Sequence, residues 1–306
     1  MWFKNLQLYR LTRPLELDDR LNEQLAACRF SPCSSQDIAK YGWVSPLTRR
    51  EEGELVHVGD GNYLLCVRQE EKILPGGVIK EELDEKVQAI QLEQGRPVSR
   101  KEKQAMKEEI VTTLLPRAFS KSRFTYAYVS TKLQLVIVDA SSAARADEVL
   151  GLLRKSIGSL PVAPLALATP AAITLTEWLK KGPPAPLELE DEAELKSLLE
   201  EGGVIRTKKQ ALSDNEVDTL LDNQRQVSKL ALGYPELASF LLQDDLMIKR
   251  LKFADVLREE NDDIDPTDKA ARFDADFVLM TRTLEELLPR LIELLGGEAD
   301  NLAEAV

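Results

Sequence analysis

Residues 2–11 alternate apolar and polar side chains, the period of a half-buried strand, and residues 17–28 follow with the spacing of an amphipathic helix. Strand-like runs return at 55–58 and 63–69. The period then changes. Pro75-Gly76-Gly77 reads as a turn or helix start, and Ile79, Leu83, Val87 and Ile90 recur at helical spacing until Gly95 and Pro97 stop the pattern. Ser99 and Glu102 form a capping box: the hydroxyl accepts from the Glu102 amide and the carboxylate from the Ser99 amide. It opens a second helix to about residue 115, with Met106, Ile110 and Leu114 as its apolar stripe and Pro116 as its end. Two helices around a short Gly/Pro turn make a helical hairpin, which either projects as a finger or lies flat on the domain.

Phe124, Tyr126 and Tyr128 alternate on one strand face, and residues 133–138 form an apolar run of the kind buried on both faces. A helix at 142–157 and a strand at 161–168 follow. Residues 169–186 are rich in Pro and Ala, with KKGPPAP as the clearest linker signal and room for a short helix at 175–179. Beyond the acidic stretch 188–194, runs at 195–199 and 204–212 flank Gly202-Gly203 as a hairpin. Ser213 and Glu216 form a second capping box before a helix to about residue 224, and strands are predicted at 227–232 and 246–253. Thr283 and Glu286 form a third box before a Leu-rich final helix, kinked by Pro289 and capped by Gly296-Gly297. The predicted class is α+β and multi-domain, with mixed or antiparallel sheets and an inserted helical hairpin. Its expected parts are a central α+β domain (1–75 and 117–168), the hairpin finger (76–116) and a C-terminal α+β base domain (169–306).

Charge sharpens this picture more than composition does. The 306 residues hold 40 Lys+Arg against 52 Asp+Glu, a formal net charge of −12, which at first sight argues against a polyanionic partner. The excess is local. Residues 255–306 carry fifteen acidic and five basic side chains, whereas residues 96–132 carry nine basic ones, Lys107 and Lys132 among them, against only Glu102, Glu108 and Glu109. A ligand meets the local field, although a solvated face is the commoner meaning of any single charge run. The 43% hydrophobic and 30% charged fractions describe a soluble globular chain rather than a disordered one. No apolar run approaches the roughly 18 residues of a membrane helix. The first residues lack a signal peptide's apolar core, so a cytoplasmic protein without a membrane partner is expected. Cys28, Cys33 and Cys66 form an odd set without metal spacing and read as reduced thiols. The single histidine, His57, sits in the strand-like LVHV and reads as structural, which disfavours multi-histidine metal sites and triad hydrolysis.

No Walker-type or dinucleotide-binding glycine motif is present, and no cofactor or metal is expected. Asp139 ends a buried run, and Asp274 and Asp276 share a face if RFDADF is extended. Such carboxylates hold Mg²⁺ in nucleases, though caps and ion pairs are their commoner use. Asp262-Asp263-Ile264-Asp265 lacks the glycine and final glutamate of a calcium loop. The cations offer more. Arg96, Arg100, Lys101 and Lys103 crowd the hairpin apex, and Arg117, Lys121 and Arg123 follow it. Farther on, Arg206-Thr207-Lys208-Lys209-Gln210 and Lys249-Arg250-Leu251-Lys252 would put Arg206 with Lys208, and Arg250 with Lys252, on shared strand faces. There is no zinc-finger spacing, RRM aromatic box or basic zipper, so phosphate binding without base readout is what these residues permit. Phe119, after the second helix, is either core or an exposed interface anchor.

Several stretches resemble the RdgC family of bacterial recombination-associated proteins. They include Trp2-Phe3-Lys4-Asn5-Leu6, Glu70-Glu71-Lys72-Ile73-Leu74-Pro75, Leu114-Leu115-Pro116-Arg117-Ala118-Phe119, LRKSIGSLP from Leu153, DEAELKSLLEEGGVIRTKK from Asp191, Lys249-Arg250-Leu251-Lys252-Phe253 and RFDADF from Arg272. The similarity runs from end to end. It implies a cytoplasmic, nucleoid-associated protein whose ring-shaped homodimer encircles double-stranded DNA with little sequence preference. Whether single-stranded DNA is also bound stays open. It further implies opposition to RecA-promoted strand exchange, with direct contact to RecA left open, and no catalytic residue. Ring closure needs two self-complementary contacts per subunit, and the finger and Phe119 are assigned to one of them.

Overall fold

A computed structural model describes residues 1–18, 20–199, 202–209, 214–222, 224–261, 263–265 and 267–299. In chain order the elements are β1 (Leu6–Leu11), α1 (Leu21–Ala26), β2 (Ala39–Val44), β3 (Val56–Gly59), β4 (Asn62–Lys72), α2 (Gly76–Gln94), α3 (Arg100–Leu114), β5 (Ser120–Ser130), β6 (Leu135–Asp139) and α4 (Ala143–Ile157). There follow β7 (Val162–Pro164), α5 (Ala171–Lys181), β8 (Glu188–Ser197), β9 (Val204–Lys208), α6 (Asp214–Asp222), β10 (Arg225–Tyr234), β11 (Ala238–Gln243), β12 (Ile248–Phe253), α7 (Asp255–Glu259) and α8 (Lys269–Leu294). The α+β expectation holds. The strands join in one antiparallel sheet of order β2-β4-β5-β6-β1-β12-β11-β10-β8-β9, with β3 beside β4 and β7 beside β1.

The two halves of this sheet meet at a narrow seam. There β1 pairs with β12 through Leu6 and Ile248, the Leu251 amide donates to Lys4 O (2.8 Å), and the Arg250 amide donates to the Asn5 side chain (3.4 Å). One face of the whole sheet carries a continuous apolar layer, from Leu64, Tyr128 and Ile137 across Leu6 and Ile248 to Leu230, Leu242 and Leu195. Leu175 and Trp178 of α5 and Phe277, Met280, Leu284, Leu287 and Leu291 of α8 cover it. The other face is apolar only in the first half, where Val67, Val129, Val136 and Val138 pack under Val149, Leu150 and Leu153 of α4. That double burial explains the unbroken apolar run of β6.

The hairpin forms as the spacing requires. Gly95 (φ 62) ends α2 in the left-handed region and its amide donates to Gln91 O, and both halves of the Ser99–Glu102 box are made. Lys86–Glu109 (3.0 Å) and Arg96–Glu102 (2.7 Å) tie α2 to α3.

Other expectations change. The Pro/Ala stretch holds the eleven-residue α5, longer than the short helix expected, because Leu175 and Trp178 find the core. The acidic run is strand, since β8 buries Ala193 and Leu195 and turns its carboxylates outward. RFDADF is helical, not extended, and Thr283 lies inside α8 with its hydroxyl donating to Leu279 O (2.9 Å), so it caps nothing. The apolar stripe from Phe277 to Leu291 is continuous, and its packing outweighs a local capping signal. Asp268 is the actual cap, accepting from the Ala271 amide (3.0 Å). Ser213 of the second capping box, Gln210 of the basic cluster and Asp262 of the acidic loop lie outside the described residues. Two strands had no clear signal. β2 carries Gly42, where a Cβ would come within 2.5 Å of the Phe30 backbone, so close chain approach rather than alternation defines it. β11 is an apolar run between two stronger neighbours.

Candidate nucleic-acid interface

In the second half of the sheet, β8 to β12, alternation interrupted by bulges sends apolar side chains to α5 and α8 and charged ones to the opposite face, which no described element covers. In β12 the apolar positions are Ile248, Leu251 and Phe253, a spacing that a regular strand cannot put on one face. A bulge resolves it. Arg250 takes φ 51 and the register with β11 shifts between Ser239 and Leu241, so Leu251 turns inward while Arg250 and Lys252 stand exposed. The expected sharing of a face by these two cations is thus met, through a bulge rather than a plain strand.

Across the same face, β8 and β9 place Glu192 opposite Lys208 and Glu194 opposite Arg206. Glu192 lies 2.9 Å from the Arg250 guanidinium and 3.8 Å from Lys208 Nζ. Glu194 is nearly buried and lies 2.6 Å from Arg206 and 3.0 Å from Lys229, and it accepts from Ser228 Oγ (3.0 Å). Desolvation resists its ionisation, but the hydrogen bonds of Lys229, Arg206 and Ser228 prevail and bring its carboxyl down to about 2. Lys209, just past β9 with φ 54, borders one shallow depression with Arg250, Lys252 and Ser239. The face therefore carries Arg206, Lys208, Lys209, Lys229, Arg250 and Lys252 against Glu190, Asp191, Glu192 and Glu194. It is net positive in a chain of net −12. Lys249 is half-buried, opposite Leu241.

Sequence reading missed Lys229 and the glutamates. Lys229 is a single cation in an apolar run, and its only signal was its polar position in the alternation of β10. The glutamates were masked by the overall acidity of residues 188–194.

The remaining predicted cations lie elsewhere. Arg96 is held at the hairpin turn by Glu102 and by Gln94 Oε1 (2.8 Å). Arg100, Lys101, Lys103 and Lys107 are exposed on α3. Arg117 is exposed before β5, and Lys121 and Arg123 are exposed at the start of β5. The alternation of β5 puts Lys121 and Arg123 with Ala127 and Val129, on the side of the sheet to which the open face belongs. Phe119 is 85% exposed, which removes the core reading. Only its backbone is engaged, accepting from the Ile73 amide (2.7 Å).

The carboxylates proposed for metal chemistry serve structure. Asp139 accepts from the Lys4 (3.1 Å) and Asn5 (2.8 Å) amides, fixing the start of β1, and burial raises its pKa. Asp274 stands 3.1 Å from His57 Nε2, whose ring meets Phe273 and Phe277 edge-on. Asp276 binds the Met1 ammonium (2.7 Å) and accepts from Asn261 (3.2 Å). Among the described residues no cluster of three or more His, Cys, Asp or Glu is arranged to hold a metal ion.

A family model described as "Putative exonuclease, RdgC" matches residues 1–298. The chain belongs to the RdgC family. Its relatives include the recombination-associated protein RdgC of Aeromonas hydrophila, 55% identical over 304 residues, which is 99% of this chain and all of that one. Those of Tolumonas auensis (52% over 300 residues; 97% and 99%) and Serratia proteamaculans (51% over 301 residues; 98% and 99%) are similarly close. The resemblance read from the residues is therefore correct, and RdgC relatives carry names that point to DNA recombination. No helix among the described residues is long and apolar enough to cross a membrane.

Proposed function

We propose that this RdgC-family chain is a non-catalytic, nucleoid-associated protein that binds double-stranded DNA through its phosphates, encircles it as a ring-shaped homodimer and opposes RecA-promoted strand exchange. The observation that carries the DNA reading is the uncovered, net-positive face of β8–β12, with Lys208, Lys209, Arg250 and Lys252 exposed on it. Its side chains can reach phosphate oxygens, and they form no constellation that would read base edges. The exposed Phe119 and the cations of α3 fit one ring contact and its DNA-facing rim. The seam between β1 and β12, with the sequence after β7, is where we divide the central domain from the base, and α2–α3 is the finger.

The test is duplex-DNA affinity against salt. A log–log slope of several units is expected, because each neutralised phosphate releases counterion. Lys208→Ala with Lys209→Ala should weaken binding about equally on unrelated sequences and flatten the slope by about two. Binding indifferent to salt, or confined to one sequence, would sink the reading. Plasmid incubated with Mg²⁺ should stay intact; nicking lost in Asp274→Ala would replace it with a nuclease.

A further inference from the structure

Arg206, Lys208, Lys229 and Arg250 of the open face are already paired with carboxylates. Lys208 and Arg250, on different strands, converge on one carboxylate, Glu192, at 3.8 and 2.9 Å. We propose that Glu192 is a resident counter-ion that stands in for phosphate on this face and sets how tightly DNA is held; this rests on the DNA-binding reading above. In the unbound protein it pairs with both cations in the depression lined by Leu241. When a DNA phosphate arrives, Arg250 and Lys208 exchange one anion for another.

The neighbouring glutamate shows why the role falls to Glu192. Glu194 is 8% exposed and locked by Arg206, Lys229 and Ser228, so it belongs to the sheet's structure. Glu192 is 23% exposed, and its partners Arg250 and Lys208 are 54% and 64% exposed. Ion pairs this wet are weak and exchange readily. Among the described residues only these two cations pair with Glu192, and both are among the residues proposed to meet DNA.

Two consequences follow. The freed carboxylate faces a polyanion and repels it, which lowers affinity. It also recruits a cation from solution when its partners leave, so the net release of counterion on binding is smaller by up to about one. A face built this way grips DNA less firmly than its cations alone would.

The experiment compares full-length wild type, Glu192→Gln and Glu177→Gln on one duplex over a range of KCl, with thermal unfolding of each. Glu177→Gln removes the same charge from α5, on the opposite face of the sheet. Glu192→Gln should bind about three- to ten-fold tighter at moderate salt, with a slope steeper by up to about one, while Glu177→Gln changes little. If wild type binds with the expected salt dependence but Glu192→Gln matches Glu177→Gln, the counter-ion role is wrong and the DNA reading stands. If Glu192→Gln binds more weakly and also unfolds at lower temperature, Glu192 is a structural member like Glu194 and the proposal is overturned. If wild type does not bind DNA, both readings fall together.

Discussion

The two halves of the sheet share one apolar layer and one covering helix, yet their outer faces are opposites. Over β4, β5, β6 and β1 the outer face is apolar and roofed by α4. Over β8 to β12 no described element covers the same side, and a ladder of cations and carboxylates stands there. Composition follows the difference: β6 reads LVIVD, while β12 reads IKRLKF and is bulged at Arg250. A sheet covered on both sides is a scaffold. A sheet covered on one side offers a rigid charged surface whose side chains are spaced by the strands beneath them, which is where phosphate contacts can be held in register.

The largest test of this contrast puts the same charge on the same side of each half. Val138→Lys in β6 buries an unpaired ammonium under α4 and should destabilise by about 4 kcal/mol or more, whereas Ser239→Lys in β11 should stay within about 1 kcal/mol, both by denaturant titration. Equal costs would mean the open face is not open.

A smaller effect separates structural from exchangeable charge on the open face itself. Glu194→Gln should cost about 1–3 kcal/mol near neutral pH, because it weakens the hold on Lys229 and Arg206. Its folded pKa of about 2 lies below the ordinary 4.5. Its stabilisation is therefore complete above the unfolded value and is lost as pH falls from about 4.5 through about 2. Stability against pH should accordingly fall less steeply across that window in Glu194→Gln than in wild type.

The smallest lies in the hairpin, which belongs to neither half. Ser99→Ala removes one half of the capping box and should cost about 1 kcal/mol, read as faster amide exchange in the first turn of α3 rather than as a change in the sheet.

The hairpin was the most legible part of the chain, because its determinants are local: Gly95 in the left-handed region, the Ser99–Glu102 box and apolar stripes at helical spacing. The α8 region misled for the opposite reason. Thr283-Leu284-Glu285-Glu286 has the letters of a helix start, but the cap is fifteen residues upstream at Asp268, ahead of the stripe that packs on the sheet. In the candidate interface, Lys208, Lys209, Arg250 and Lys252 were readable as clustered cations. Their neighbour Lys229 and the partner Glu192 were not, because they come from other strands and meet only through register.

The amino-acid sequence by itself determined the α+β class, the hairpin with its caps, the family and the separation of acidic from basic segments, since each depends on neighbours a few residues apart or on long stretches of identity. Tertiary structure alone decided that the strands form one sheet, that α4 roofs only one end of it, and that four carboxylates stand among six cations on the other. Those outcomes depend on which strands pair and in what register, and strand pairing joins residues whose chain positions carry no mark of one another.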